Sequence, residues 1–420
     1  MKPDSPLFVT GASVPDSDER VDVFFADGIV ASVAAAGNMR APEGVSAIDA
    51  AGKLLLPGLF DLHAHIGITG HSLETCVRNA AEAARQGGVS GFQCMPDTSP
   101  VLDNGAQIAS LLETASRCSR VAIVPAGCLS QGLEGEQQAP YDSLRTHGVR
   151  MITDAGRFPH NILMLHRAMK YAGELGLTFA LRGDVPALTE KTYAHPSTTS
   201  YALGLHGSPA CAEEIGIETV LHLATDARTA IHVQTVSTAG GTEIVRRFKD
   251  KGAKVTAEAA LHHLLYTHED IGDYDTNFKT LPPLRDRSDA EALITALNDG
   301  TIDCLVSQHS PCIPFFKKQD FCSAPHGMIA LDTFLPVLYT HLVKPGRLSW
   351  ATLLRTASET PRRLLGLDVP ELKEGAPAEF VLFNPEGLTE VTPGFLKAGT
   401  QNTPLLGSML SGQVIPLPLS

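Results

Sequence analysis

The residues with the clearest chemical potential are His63 and His65, in the run Leu59-Phe60-Asp61-Leu62-His63-Ala64-His65. In an extended strand, residues two apart point to the same side, so both imidazoles can reach one cation. Imidazole nitrogen suits zinc. The pair is half of a tetrahedral site, and the residues at the later strand ends decide whether a cation stays there. Further polar residues fall where apolar strands end: Asp97, Asp154, Arg182 with Asp184, Thr235, Glu258, and Gln308 with His309.

The elements that must position these groups are set by the periodicity. Across residues 57–367 short apolar strands alternate with amphipathic helices, the pattern of repeated βα units. Strands are predicted at 58–62, 89–95, 120–126, 149–153, 178–181, 230–236, 254–257 and 302–306. A helix with Leu73, Val77, Ala80, Ala81 and Ala84 on one face stops at Gly87-Gly88, and others are predicted at 161–175 and 212–228. One more starts at a Ser288-Asp289-Ala290-Glu291 cap. Eight such units predict an α/β fold, a closed (β/α)8 TIM-type barrel whose chemistry sits at the C-terminal strand ends. Outside it, residues 21–30 read as two strands around the Asp27-Gly28 turn, and 380–383 and 412–415 read as strands. Neither flank can bury a core alone, so both chain ends are expected to join in one small β-sandwich domain. The predicted division is 1–57 and 368–420 for that domain, with 58–367 for the barrel.

Composition narrows the function classes. The 420 residues carry 46 acidic against 33 basic side chains, a net charge of -13, with no basic run interleaved with aromatics. Nucleic acid is therefore not expected as a partner. No apolar stretch approaches the ~20 residues that span a bilayer, and the first residues lack a signal-peptide core, so a cytoplasmic protein is expected. Eight cysteines without a CxxC pair read as reduced, mostly buried thiols.

The blocks beyond the HxH carry a resemblance. They are Met95-Pro96-Asp97-Thr98, Gly132-Leu133-Glu134-Gly135-Glu136, Thr153-Asp154-Ala155-Gly156, Val236-Ser237-Thr238-Ala239, His262-His263-Leu264-Leu265, Tyr274-Asp275-Thr276-Asn277-Phe278-Lys279, Pro282-Pro283-Leu284-Arg285, Asp299-Gly300-Thr301-Ile302-Asp303 and Leu372-Lys373-Glu374-Gly375-Ala376-Pro377-Ala378. In this order they resemble the amidohydrolase superfamily, and within it the dihydroorotases of the bacterial, multifunctional-complex type. The resemblance implies a pair of zinc ions held by the HxH, an acidic or carboxylated residue after the fourth strand, histidines after the fifth and sixth, and an aspartate after the eighth.

This chain keeps the first part of that set. His63 and His65 match, and Asp154 is the candidate for the fourth-strand acid, although the family often has two adjacent aspartates there and Ala155 fills one place. Arg182 and Thr235 stand where the family has histidines, and Gln308 stands in the place of the catalytic aspartate, before a matching His309. Arginine stays protonated and has no free lone pair, threonine is a poor zinc ligand, and an amide is neither anionic nor usefully basic. The residues that would hold a substrate carboxylate are changed as well, to Gly67, Asp97 and Leu281, and Cys312 replaces an expected histidine. An ordinary loop cysteine is expected at Cys312, in preference to a thiol nucleophile beside His309. His262 and His263 receive no role.

The resemblance supports two readings. In the first, the chain is a non-catalytic dihydroorotase-like subunit of pyrimidine biosynthesis, with structural or regulatory duty, associated with aspartate transcarbamoylase as inactive family members are, oligomeric, and with no cofactor or weakly bound zinc. In the second, it is a working cyclic amidohydrolase of dihydroorotase or hydantoinase type, with a reduced one-metal site on His63, His65 and Asp154. Arg182 is expected to pair with Asp154, Asp97 or Asp184, as a fixed cation replacing the metal. A missing ligand could also arrive from a loop, since the stretch 185–209 could fold into the mouth and brings His195 and His206.

Overall fold

The computed structural model describes residues 6–417. The first barrel strand, Leu59–Ala64, is buried at all six positions. Such a strand is covered on both faces, as in a parallel barrel, so the polar side chains it carries, Asp61 and His63, must find partners inside. Strands Leu59–Ala64, Val89–Cys94 and Ala122–Pro125 form one parallel run. Gly127–Cys128, Met151–Thr153, Thr178–Arg182, Ile231–Gln234, Val255–Ala260 and Cys304–Val306 form another. The third strand bends between its two pieces, where Ala126 N donates to Cys94 O at 2.9 Å. Closure comes at the other seam, where His65 N donates to His309 O at 2.8 Å. The eight-stranded order is therefore sequential and closed.

The helices cover the barrel with small apolar faces. In Leu73–Gln86, Ser72 caps the first turn by accepting from Thr75 N, and Val77, Ala80, Ala81 and Ala84 are buried. Helix Ala210–Ala227 packs tightly on the end of the fifth strand: a Cβ on Gly216 would lie 2.0 Å from Asp184 N, so only glycine permits this approach. The helix predicted to start at a Ser288 cap spans Arg287–Asp299 and is capped instead by Asp286, whose carboxylate and that of Asp289 each accept from the other's backbone N–H. This capping box places two carboxylates near the positive end of the helix dipole, a stronger cap than one hydroxyl.

Both chain ends join in one connected seven-stranded sheet. The strand Leu54–Pro57 pairs antiparallel with Phe380–Glu390, which pairs with Met409–Ile415, and on the other side the sheet runs through Leu7–Ser13, Arg20–Ala26 and Ile29–Ala35. Asp27 and Gly28, both at positive φ (52° and 72°), make the tight turn read from the sequence. Leu7, Val9, Val23, Phe25, Leu55, Phe380 and Leu382 are fully or almost fully buried in a core of their own, each contributing roughly 1.5–3 kcal/mol. Arg362 ties this sheet to the barrel, with Nη1 2.7 Å from Glu379 Oε2 and Nη2 2.6 Å from Ser90 Oγ. Four cysteines are buried, Cys76, Cys94, Cys128 and Cys304, fewer than expected, and Cys211 and Cys322 are exposed. Among the described residues no helix is long and apolar enough to cross a membrane.

Candidate functional site at the barrel mouth

Strand alternation sends His63 and His65 to the same side, and carboxylates fix each ring. His63 Nδ1 lies 2.5 Å from Glu258 Oε1, and the other oxygen of Glu258 lies 3.0 Å from His232 Nε2. His65 Nδ1 lies 2.8 Å from Asp97 Oδ2. With both Nδ1 atoms engaged, the two Nε2 atoms converge at 3.3 Å. Two corners of a tetrahedron with zinc–nitrogen bonds of 2.0–2.1 Å are about 3.3 Å apart, so the pair has chelating geometry.

The charges around the pair are strongly coupled. Burial would raise Glu258, but the charge of His63 and the hydrogen bonds from His232 and His63 outweigh it and hold the carboxyl down to about 2. Burial opposes protonation of His65, and Asp97 overcomes this by charge and hydrogen bond and raises it. Asp61, beneath the pair, accepts from Ser307 N at 2.9 Å and from the Ser307 hydroxyl, which ties the first strand to the eighth. Its carboxyl is pushed up to about 6 by burial.

The other strand ends do not complete a metal site. Asp154, the expected third ligand, turns away: it accepts from Leu129 N and Ser130 N at 2.9 Å and from Ser130 Oγ at 2.6 Å. The residue that lines the mouth there is Ala155, at φ 52°. The expectation for Asp154 is corrected accordingly, since its acceptor positions are used by the third-strand loop. Arg182 lines the same cavity as the histidines and pairs with Asp184, Nη2 to Oδ2 at 3.0 Å, while Nε and Nη2 donate to Gly156 O at 3.1 and 3.0 Å. Of the three acids considered as its partner, Asp154 is held elsewhere and Asp97 is taken by His65.

Thr235 is at φ 48°, an outlier for a β-branched residue, and its buried Oγ1 has no hydrogen-bond partner among the described residues. Gln308, at φ 47°, donates from Nε2 to Leu281 O at 2.9 Å, and its Oε1 makes no hydrogen bond of normal geometry among the described residues, although His262 neighbours that side chain. His309 accepts at Nδ1 from Ala330 N and Leu331 N at 3.1 and 3.2 Å, which puts its proton on Nε2, and burial pushes its pKa down to about 3. It is a neutral donor and not a base at neutral pH.

The remaining residues singled out from the sequence fall outside the cluster. Cys312 lines a neighbouring recess with Gly67, its Sγ facing Ile313 O at 3.5 Å, and burial raises the thiol. His195 lies 3.1 Å from Asp286 Oδ2 and His206 is exposed, so neither brings a ligand to the mouth. His263 donates from Nε2 to Pro282 O at 3.1 Å. Sequence reasoning missed His326, which lines the cavity from a long loop, and gave Glu258 no role. The Glu258 bridge between His63 and His232 joins three strands, and no spacing motif signals it.

The residues present do not fit a pair of zinc ions. Two imidazoles converge, the ends of the fourth, fifth, sixth and eighth strands facing them are Ala155, Arg182, Thr235 and Gln308, and the lining Asp97 and His326 are bonded to His65 and Thr280 O. Among the described residues no group of three or more histidine, cysteine or acidic side chains is arranged to hold a metal ion.

With this geometry in hand, comparison with known proteins places the chain. Residues 54–415 match the model of the amidohydrolase family. The dihydroorotase of Geobacter sp. (strain M21) is 35% identical over 413 residues, covering 97% of this chain and 96% of that protein. The dihydroorotase of Pelotomaculum thermopropionicum is 34% identical over 410 residues, covering 97% and 95%. Among solved structures, an L-hydantoinase (dihydropyrimidinase) from Arthrobacter aurescens superposes with a TM-score of 0.83 at 22% identity, over 98% of this chain and 94% of that one. A dihydropyrimidinase from Brevibacillus agri NCHU1002 gives 0.80 at 20% identity, over 98% and 93%, a likeness of fold. The chain thus belongs to the amidohydrolase family and is a dihydroorotase-like member of it.

Proposed function

We propose that this protein is a non-catalytic dihydroorotase-like subunit of pyrimidine biosynthesis, with structural or regulatory duty, forming oligomers and associating with aspartate transcarbamoylase. One observation carries the reading: in the cavity into which His63 and His65 converge, the ends of the fourth, fifth, sixth and eighth strands present Ala155, Arg182, Thr235 and Gln308, which offer no imidazole, anionic ligand or carboxylate base, while the lining Asp97 is bonded to His65 and His326 to Thr280 O. A metal bound there would supply a Lewis acid and an activated water. This chain's own residues neither complete its coordination nor accept the proton, and Arg182 places a fixed positive charge on the cavity wall. Gly67, Asp97 and Leu281 offer a substrate carboxylate no cationic or amide side-chain donor.

The test is an assay of dihydroorotate and hydantoin hydrolysis by the purified protein, with and without added zinc. No turnover above the uncatalysed rate is expected. Hydrolysis that a chelator abolishes would overturn the reading. Gentle affinity purification from the native host is expected to recover transcarbamoylase, and its absence would count against that partner. A second reading, a one-metal amidohydrolase, is favoured by the 3.3 Å approach of the two Nε2 atoms. It ranks second because Asp154 is turned away from them.

A further inference from the structure

The barrel-mouth cavity, of about 150 Å³, has unfulfilled hydrogen-bonding groups on its walls. Arg182 uses Nε and Nη2, and its Nη1 has no partner among the described residues. Thr235 is 1% exposed and its hydroxyl has no hydrogen-bond partner among the described residues; Oε1 of the half-buried Gln308 makes no hydrogen bond of normal geometry there, although His262 neighbours that side chain. Leaving such groups unpaired costs stability that a ligand able to pair with them would restore. Three non-glycine residues on these walls, Ala155, Thr235 and Gln308, are held in left-handed backbone. Strain of this kind collects at ligand sites.

The two kinds of group lie on different walls. Arg182 and Thr235, donors, end the fifth and sixth strands, whose register pairs Arg182 with Gln234. Asp97 and the Gln308 carbonyl, acceptors, lie just past the second and eighth strands. In a closed ring of eight, the second strand faces the sixth, so Asp97 stands across the mouth from Thr235. The lining presents one guanidinium and one carboxylate, a dipolar arrangement.

Resting on the non-catalytic reading, we propose that this cavity is a metal-independent binding site for a small zwitterion, an α-amino acid with a short uncharged side chain. Its carboxylate accepts from Arg182 and Thr235. Its ammonium donates to Asp97 and the Gln308 carbonyl. A cavity of this volume holds about six to eight non-hydrogen atoms, judged by its capacity for benzene. A second carboxylate on the ligand would find no second guanidinium or ammonium in the lining.

The experiment is calorimetric titration of the intact, chelator-dialysed protein with glycine, L-alanine and L-serine, and with L-lactate, ethanolamine and L-aspartate as controls. At least one of the three amino acids is expected to bind with a Kd below about 1 mM, and each control about tenfold more weakly or worse. Thr235→Val and Asp97→Asn are each expected to weaken that binding about tenfold, with melting temperatures checked to exclude unfolding. No heat of binding at roughly 20 mM, L-lactate binding as well as L-alanine, or affinity unchanged in both variants would each overturn the proposal. Absent binding together with absent hydrolysis sinks this inference alone. Hydrolysis of a cyclic amide sinks the non-catalytic reading, whatever the amino acids do.

Discussion

Arg182 Nη2 stands 3.0 Å from Asp184 Oδ2, an ion pair whose two side chains are 9% and 10% exposed. Burial pulls the guanidinium below its usual pKa while Asp184 and Glu213 oppose that pull, and it stays protonated. Thr189 Oγ1, at 3.1 Å, is the other side-chain donor on the Asp184 carboxylate. Removing the arginine leaves a buried anion with that single neutral donor. Arg182→Ala is expected to lower stability at pH 7 by about 3 kcal/mol, read from urea unfolding. Unchanged melting in both Arg182→Ala and Arg182→His would refute the pairing.

The cavity wall lacks metal ligands at positions whose backbone is already set. Ala155, Thr235 and Gln308 all have left-handed φ and line the cavity. The combined substitution Ala155→Asp, Arg182→His, Thr235→His and Gln308→Asp is therefore expected to bind zinc that survives dialysis, measured by atomic absorption. Omitting Arg182→His from the set should abolish the gain, because the guanidinium repels the dication.

Acid should destabilise the fold through histidines buried in neutral form. Burial pushes His263 down to about 4 from 6.5, helped by the charge of Arg285. Burial and the charge of Lys279 do the same to His326, also to about 4. A histidine whose folded pKa is depressed contributes stability that is complete above the unfolded value of 6.5 and is lost as pH falls through the folded value. The melting temperature is thus expected to drop between pH 6.5 and 4. His326→Asn should flatten that limb, and an identical pH profile in the variant would contradict the assignment.

Asp332 works in the opposite direction. Burial pushes its carboxyl up to about 6 from 3.8, although Lys397 N donates to Oδ1. Its Oδ2 is buried with no hydrogen-bond partner among the described residues. A raised carboxyl contributes stability that is full below pH 3.8 and is lost as pH rises through 6. Asp332→Asn is expected to stabilise the protein at pH 7 by about 1–2 kcal/mol and to leave it unchanged at pH 3.5, by calorimetry.

The strand positions of the barrel were legible because parallel barrel strands are short apolar runs separated by helical periodicity. His63, His65, Arg182, Thr235 and Gln308 were legible as cavity residues because each lies at a strand end. What the pattern hid is local backbone geometry. Strand alternation fails at residue 155, where the chain turns left-handed, so the resemblance pointed to Asp154 as the fourth-strand acid while the cavity received Ala155. Spacing left three acids within reach of Arg182, and only the neighbours that hold Asp154 and Asp97 decide for Asp184. The Glu258 bridge and His326 depend on contacts between distant segments, which leave no trace in spacing.

Zinc titration of the chelator-dialysed protein, followed by calorimetry and by metal analysis after a second dialysis, tests the central claim most directly. With two converging imidazoles and a guanidinium on the cavity wall, the account predicts no site tighter than about 1 µM and no stoichiometric zinc after dialysis. Two zinc ions per chain retained through dialysis would contradict it.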